Sequence, residues 1–151
     1  MKVNGRWRRT IEVTPDGGVI VLDQTKLPYA IEWMRLESVD AVARAIKDMH
    51  VRGAPLIGAT AAYGVCLALR HDSSEDALAH ALALLAEQRP TAVNLRWALD
   101  RVRARVEPLA PAMRADAAWK EADAIRAEDL AINAAPTGFA AIGGECIGGA
   151  F

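Results

Sequence analysis

Cysteine is scarce: Cys66 and Cys146 are the only two in the chain. That count excludes a disulfide framework and a four-ligand metal site, and no C-x-x-C pair is present. Thiols without that spacing fit a reducing, cytoplasmic setting. Aromatic residues are 5% of the sequence, too few for a large sheet, whose positions favour aromatic and β-branched side chains. Charge of one sign is also missing. The formal net charge is -1, with Lys and Arg scattered among acids, so counterion-driven binding of nucleic acid has no footing. No charged segment followed by an apolar one opens the chain, and no uncharged apolar run reaches ~18 residues, the length that suggests a membrane helix. Neither nucleic acid nor a membrane is an expected partner. The three histidines, His50, His71 and His80, lack metal-ligand spacing and are expected to cap or be solvated.

What is present is a globular balance: 52% hydrophobic and 25% charged residues over 151 positions are enough for one core. Abundant alanine points to closely packed helices. Two β-leaning runs, Trp7 to Thr14 and Gly18 to Asp23, flank Pro15-Asp16-Gly17-Gly18 and read as a hairpin. Val19-Ile20-Val21-Leu22 is apolar throughout, so the second strand is expected to be the more buried. Helical periodicity follows Ser38, an expected N-cap, with Val39, Val42, Ala45, Ile46 and Met49 on one stripe to about His50. A second helix is expected from the Gly53-Ala54 corner through Ile57, Ala61, Val65 and Leu69, with Pro55 in its first turn. A third runs from an N-cap at Ser73 to about Gln88. A fourth spans Ala92 to Val106, with Val93, Trp97, Val102 and Val106 as inward positions, and a fifth spans Met113 to Ile132. The expected fold class is therefore α+β and mostly α, an amino-terminal β-hairpin or small sheet followed by a helical bundle.

The most pointed local feature is Val51-Arg52-Gly53-Ala54-Pro55-Leu56-Ile57-Gly58, an arginine directly before a small-residue turn that opens a helix. Helix starts present unpaired N–H groups and partial positive charge, glycine allows close backbone approach, and arginine offers a fork that matches phosphate oxygens. The same residues also fit plain helix punctuation, with Arg52 a solvated charge. A second arginine, Arg89, stands ahead of Pro90-Thr91-Ala92-Val93-Asn94-Leu95. It can complete a clamp, or it can close the preceding helix while Thr91 caps the next. Cys66 lies between Val65 and Leu67 and is expected to be a small buried side chain rather than a reactive thiol.

Taken together and in order, Asp23-Gln24-Thr25-Lys26-Leu27-Pro28, Val51 to Gly58, Arg89 to Leu95 with Trp97, and Glu128-Asp129 resemble the methylthioribose-1-phosphate isomerase family over about Trp7 to Asn133. That family belongs to the same superfamily as subunits of translation initiation factor 2B. The resemblance implies a sugar-phosphate isomerase of methionine salvage that uses no metal or organic cofactor and is homodimeric at full length. It implies substrate-binding roles for Arg52, Gly53, Ala54 and Arg89. The catalytic cysteine and aspartate it implies belong to a carboxy-terminal Rossmann-like domain, so no catalytic residue is assigned in this chain. Gly144-Glu145-Cys146-Ile147-Gly148 does not match that family's T-H-C-N-x-G segment, and Glu128 and Asp129 are left without a role.

The likeness stops near Asn133. Residues 1–133 are expected to form the family's amino-terminal domain, and 134–151 a divergent glycine-rich tail left by a truncation or a shifted reading frame, without the Rossmann-like domain. The second reading is a regulatory or binding module related to the initiation factor subunits. A purely structural helical module is a third.

Overall fold

The computed structural model describes the backbone of residues 2–142 and the side chains of residues 4–128. Its amino-terminal part is β. Strands β1 (Lys2–Val3) and β2 (Arg6–Trp7) form a short ribbon. Strands β3 (Ile11–Val13), β4 (Val19–Leu22) and β5 (Trp33–Leu36) form an antiparallel sheet in the order β3-β4-β5. The expected hairpin is present, but its first strand is split: Trp7 belongs to the ribbon and only Ile11–Val13 pairs with β4. Strand β5 had no signal beyond a few mixed residues, and it makes β4 the central strand. Val19, Val21 and Leu22 are buried accordingly, whereas Ile20 is half-buried. The turn between β3 and β4 closes through the Thr14 N–H to the Gly18 carbonyl at 2.8 Å, and Arg70 donates to the Gly17 carbonyl at 2.6 Å, tying the hairpin tip to the helices.

Five helices follow: α1 (Val39–Lys47), α2 (Ala54–His71), α3 (Glu75–Gln88), α4 (Val93–Val106) and α5 (Pro111–Ile142). Ser38 caps α1 by accepting from the Ala41 N–H at 3.1 Å. The helix stops short of His50, because Asp48 is the C-cap and Met49 takes φ +63°, which turns its side chain outward. The N-cap of α3 is Ser74, not Ser73: the Ser74 hydroxyl accepts from the Ala77 N–H at 3.2 Å. Val93 and Trp97 are not inward positions, being 76% and 49% exposed. The step from Trp97 to Val102 is five residues, which turns about 140° around a helix, and the buried stripe is instead Leu95, Ala98, Leu99, Val102 and Val106. Helix α5 continues past Ile132 to Ile142, across the expected end of the family-like segment; Gly143 to Gly149 lies outside the described residues.

Helix α2 is the axis of the molecule. It is buried from Leu56 to Leu67 on every face, and α1, α3, α4 and α5 all pack on it. Such a helix shows little amphipathic periodicity, because it has no solvent face. Two glycines set its neighbours' distances. A Cβ at Gly64 would stand 2.9 Å from Val42 Cγ1 and 3.1 Å from Leu85 Cδ1, and one at Gly58 would stand 3.0 Å from the Asn94 carbonyl oxygen. Helix α3 returns antiparallel to α2, so α2 and α4 begin at the same end. At the other end Arg114, 5% exposed, donates to the Leu109 carbonyl at 3.2 Å, the Ser73 carbonyl at 3.3 Å and Glu75 at 2.6 Å, gathering the chain around the start of α3. In the core, the buried Tyr63 donates to Asp123 and stacks edge-on against Trp119 at 5.2 Å.

Two stability measurements test this packing. Ser74→Ala should lower unfolding free energy by ~1 kcal/mol through loss of the cap, while Ser73→Ala leaves it nearly unchanged, as read by urea denaturation. Gly64→Ala should cost about 1–3 kcal/mol, since the stiff Val42 side chain cannot yield to the added methyl without moving α1; an unchanged melting temperature would contradict the close α1–α2 approach.

Candidate functional site

The shared end of α2 and α4 forms an open cleft of about 390 Å³, lined by Arg52, Gly53, Ala54, Arg89, Thr91 and Asn94 among others. The four residues singled out from sequence as substrate-binding, Arg52, Gly53, Ala54 and Arg89, thus face one cavity although the two arginines are separated by all of α2 and α3. None of the lining residues is acidic. Among the described residues, neither guanidinium has a carboxylate or carbonyl partner, so both are free to meet a ligand.

The backbone adds to the positive potential. Neither α2 nor α4 has a side-chain cap. Gly53 is the N-cap of α2 with φ +99°, a conformation a Cβ would strain, and Pro55 in the first turn has no N–H to satisfy. Thr91 is not the cap of α4; that position is Ala92, whose methyl cannot accept a hydrogen bond. The uncapped first turns of two helices therefore line a cleft that also holds two arginines, the arrangement that favours a small anion.

A second layer holds the Arg52–Gly53 turn in place. Asp23, 5% exposed, accepts from the Thr25 N–H at 2.9 Å, from the Thr25 hydroxyl at 2.5 Å, and faces His50 Nδ1 at 2.9 Å. Burial alone would raise its pKa, but the Thr25 hydroxyl, His50 and the Thr25 amide outweigh that and hold the carboxyl below its ordinary range. The Gln24 N–H donates to the His50 carbonyl at 2.9 Å and its side-chain amide to the Arg52 carbonyl at 3.2 Å. Sequence reasoning gave His50 no role and knew the Asp23-Gln24-Thr25 segment only through its resemblance. Nothing local pairs a carboxylate with a histidine 27 residues away, so this layer is visible only in the fold.

Among the described residues the other candidates do not line this cleft. Glu128 is bound by Arg101 through two bonds, at 2.9 and 2.5 Å, and Arg126 lies 3.7 Å from Asp123. The Glu128 and Glu121 carboxylates keep Arg101 charged beyond an arginine's ordinary range, against the opposing effect of burial. The side chain of Asp129 and all of Cys146 lie outside the described residues. Cys66 is buried and unpaired, and burial pushes its thiol pKa up, the behaviour of an inert core residue. Among the described residues no three His, Cys, Asp or Glu side chains gather as metal ligands. A larger groove of about 510 Å³ runs between α3 and α4, but Glu75, Asp100 and Glu107 line it beside Arg96 and Arg103, which removes its attraction for anions.

Known proteins are similar to this chain in sequence and in fold. The chain is 53% identical over 136 residues to a methylthioribose-1-phosphate isomerase of Dechloromonas aromatica, an alignment covering 89% of this chain and 38% of that protein. It superposes with a TM-score of 0.74 on 5-methylthioribose 1-phosphate isomerase from Pyrococcus horikoshii, at 35% identity over 82% of this chain and 37% of that one. The delta subunit of translation initiation factor eIF-2B from A. fulgidus fits equally, with a TM-score of 0.74 and 34% identity over 81% of this chain and 37% of that one. The chain thus spans little more than a third of the length of these relatives. The family model described as the initiation factor 2 subunit family matches residues 50–144, which include both arginines of the cleft. With more than half of its length matched, the chain belongs to the initiation factor 2 subunit family.

Proposed function

We propose that this chain is the substrate-clamping part of an aldose–ketose isomerase that converts 5-methylthioribose 1-phosphate to 5-methylthioribulose 1-phosphate in methionine salvage. The observation that carries this reading is the convergence of Arg52, Arg89 and two uncapped helix N-termini on one cleft without an acid. The names of the relatives supply the substrate. In this reading the phosphate sits between the arginines and the amides of the first turns, leaving the sugar directed out of the cleft.

Holding is separate from conversion. The isomerisation needs ring opening and a hydrogen shift from C2 to C1, which calls for an acid–base pair beside the sugar. No residue lining the cleft is Asp, Glu, His, Cys or Lys, so the pair must come from elsewhere, and the full-length family's carboxy-terminal domain is the proposed source. The second reading, a regulatory module, is favoured by the equal structural likeness to the initiation factor subunit. Ketose formation by a protein in which this chain is joined to a relative's catalytic domain decides between them: product supports the isomerase, and binding without product supports the module.

Each arginine makes charge-assisted contacts in this reading, and such contacts contribute roughly 1.5–3 kcal/mol. Arg52→Ala and Arg89→Ala should each weaken binding of 5-methylthioribose 1-phosphate about ten- to a hundred-fold in calorimetric titration; retention of full affinity in either variant counts against the clamp. Gln24→Met keeps the side-chain length but removes the donor to the Arg52 carbonyl. It should lower the unfolding free energy by up to ~1 kcal/mol, the share of one neutral hydrogen bond of the unliganded fold, and weaken binding less than either arginine variant, because it loosens only the turn that presents Arg52.

A further inference from the structure

The groove between α3 and α4, unattractive to an anion, carries its charges in an ordered row. On α4 it is bordered by Arg96, Asp100, Arg103 and Glu107, all exposed. Spacings of four, three and four residues keep these side chains within about 60° of arc around the helix, in a row about 16 Å long. Along that row the sign alternates: positive, negative, positive, negative. The α3 wall is apolar instead. Ala79, Leu82, Ala83 and Ala86 fall at three- and four-residue steps along the groove, above the buried Leu78 and Leu99.

The row is complementary to itself. Reversing it returns the same spacing and exchanges the signs, so a second α4 laid antiparallel sets Arg96 against Glu107 and Asp100 against Arg103, each pair occurring twice. A two-fold axis makes contacts of this kind, one surface meeting its own copy. A slide of one turn would instead set Arg96 against Arg103 or Asp100 against Glu107, and like charges in contact disfavour those registers. The pair that Arg103 and Glu107 form within the chain, at 2.9 Å, is half open to solvent on both sides, so it is weakly held and can be shared across an interface. Small side chains on α3 let an incoming helix approach closely, and Leu82 gives it an apolar contact.

We propose that the α3–α4 groove is an interface for a second copy of this chain, with the two α4 helices antiparallel and the charge rows in register. None of its residues lines the phosphate cleft, so the inference stands apart from the proposed substrate. Two helices ~20 Å long bury no more than ~1,200 Å² in total, the range of transient interfaces. The dimer should therefore dissociate on dilution and, being kept in register by exposed ion pairs, weaken several-fold in concentrated salt.

Sedimentation equilibrium of the full chain, at concentrations up to several hundred micromolar, tests it through charge reversal. Arg96→Glu and Glu107→Arg, both on the exposed face, should each weaken self-association at least ten-fold, because each puts two like-charge contacts into the dimer. Combining both reversals in one chain should restore it. An equimolar mixture of the two single variants should also dimerise as well as the unmodified chain, since each then meets its opposite. Ala83→Gln is an independent variant of the apolar wall and should weaken association several-fold with the melting temperature unchanged. A chain that stays monomeric at every concentration would overturn the proposal and leave the groove to the helix of another protein. A dimer indifferent to the reversals, or single variants that mixing does not rescue, would place self-association on another face and overturn it equally.

Discussion

The contact between Gly58 of α2 and the backbone of Asn94 in α4 is the constraint on which the rest of the front of the molecule depends. With the Gly58 Cα this close to a carbonyl, a Cβ would sit 3.0 Å from oxygen, and a backbone oxygen cannot rotate away as a side-chain tip can. The absence of that one carbon lets two helices run side by side from a common level. Helix α3, antiparallel between their chain positions, then brings the Arg89 turn back beside the Arg52 turn. Two motifs far apart in sequence become one surface because the loops are short and α2 is surrounded.

The positive cleft is made by omission as much as by charge. Gly53 and Ala92 hold N-cap positions where Ser, Thr, Asp or Asn would satisfy the first-turn amides. The caps of α1 and α3 show that the chain uses serine where no ligand is at stake, through Ser38 and Ser74. The polar side chains near the cleft are arranged around the turn rather than inside it: Asp23, Gln24 and His50 fix the backbone that presents Arg52, and the pairing of Arg101 with Glu128 occupies the charges next to Trp97.

Much of this was legible beforehand. The hairpin, all five helices and the α2 start at Gly53-Ala54 follow from turn residues, caps and period, because those signals are local. Arg52 and Arg89 were also expected together as two halves of a clamp, and the fold sets both on one cleft. What escaped is what depends on partners distant in the chain. Strand β5 exists because Val19, Ile20, Val21 and Leu22 offer it an edge, Trp97 is exposed because the α4 stripe runs through Leu95 and Leu99, and Asp23 meets His50 only after the sheet docks on α1. The choice between Ser73 and Ser74 as the α3 cap turned on a single residue of phase.

Arg114 gives the opposite end of the bundle a different character. There the carbonyls of Ser73, Glu107 and Leu109 are collected by one buried guanidinium, so the polar groups at that end are satisfied by the protein itself. At the cleft end, among the described residues, no side chain caps the amides of α2 or α4. A bound anion would therefore complete the hydrogen bonding of the fold, and the protein should become harder to unfold as its ligand concentration rises, since a ligand held only by the folded state draws the equilibrium toward it.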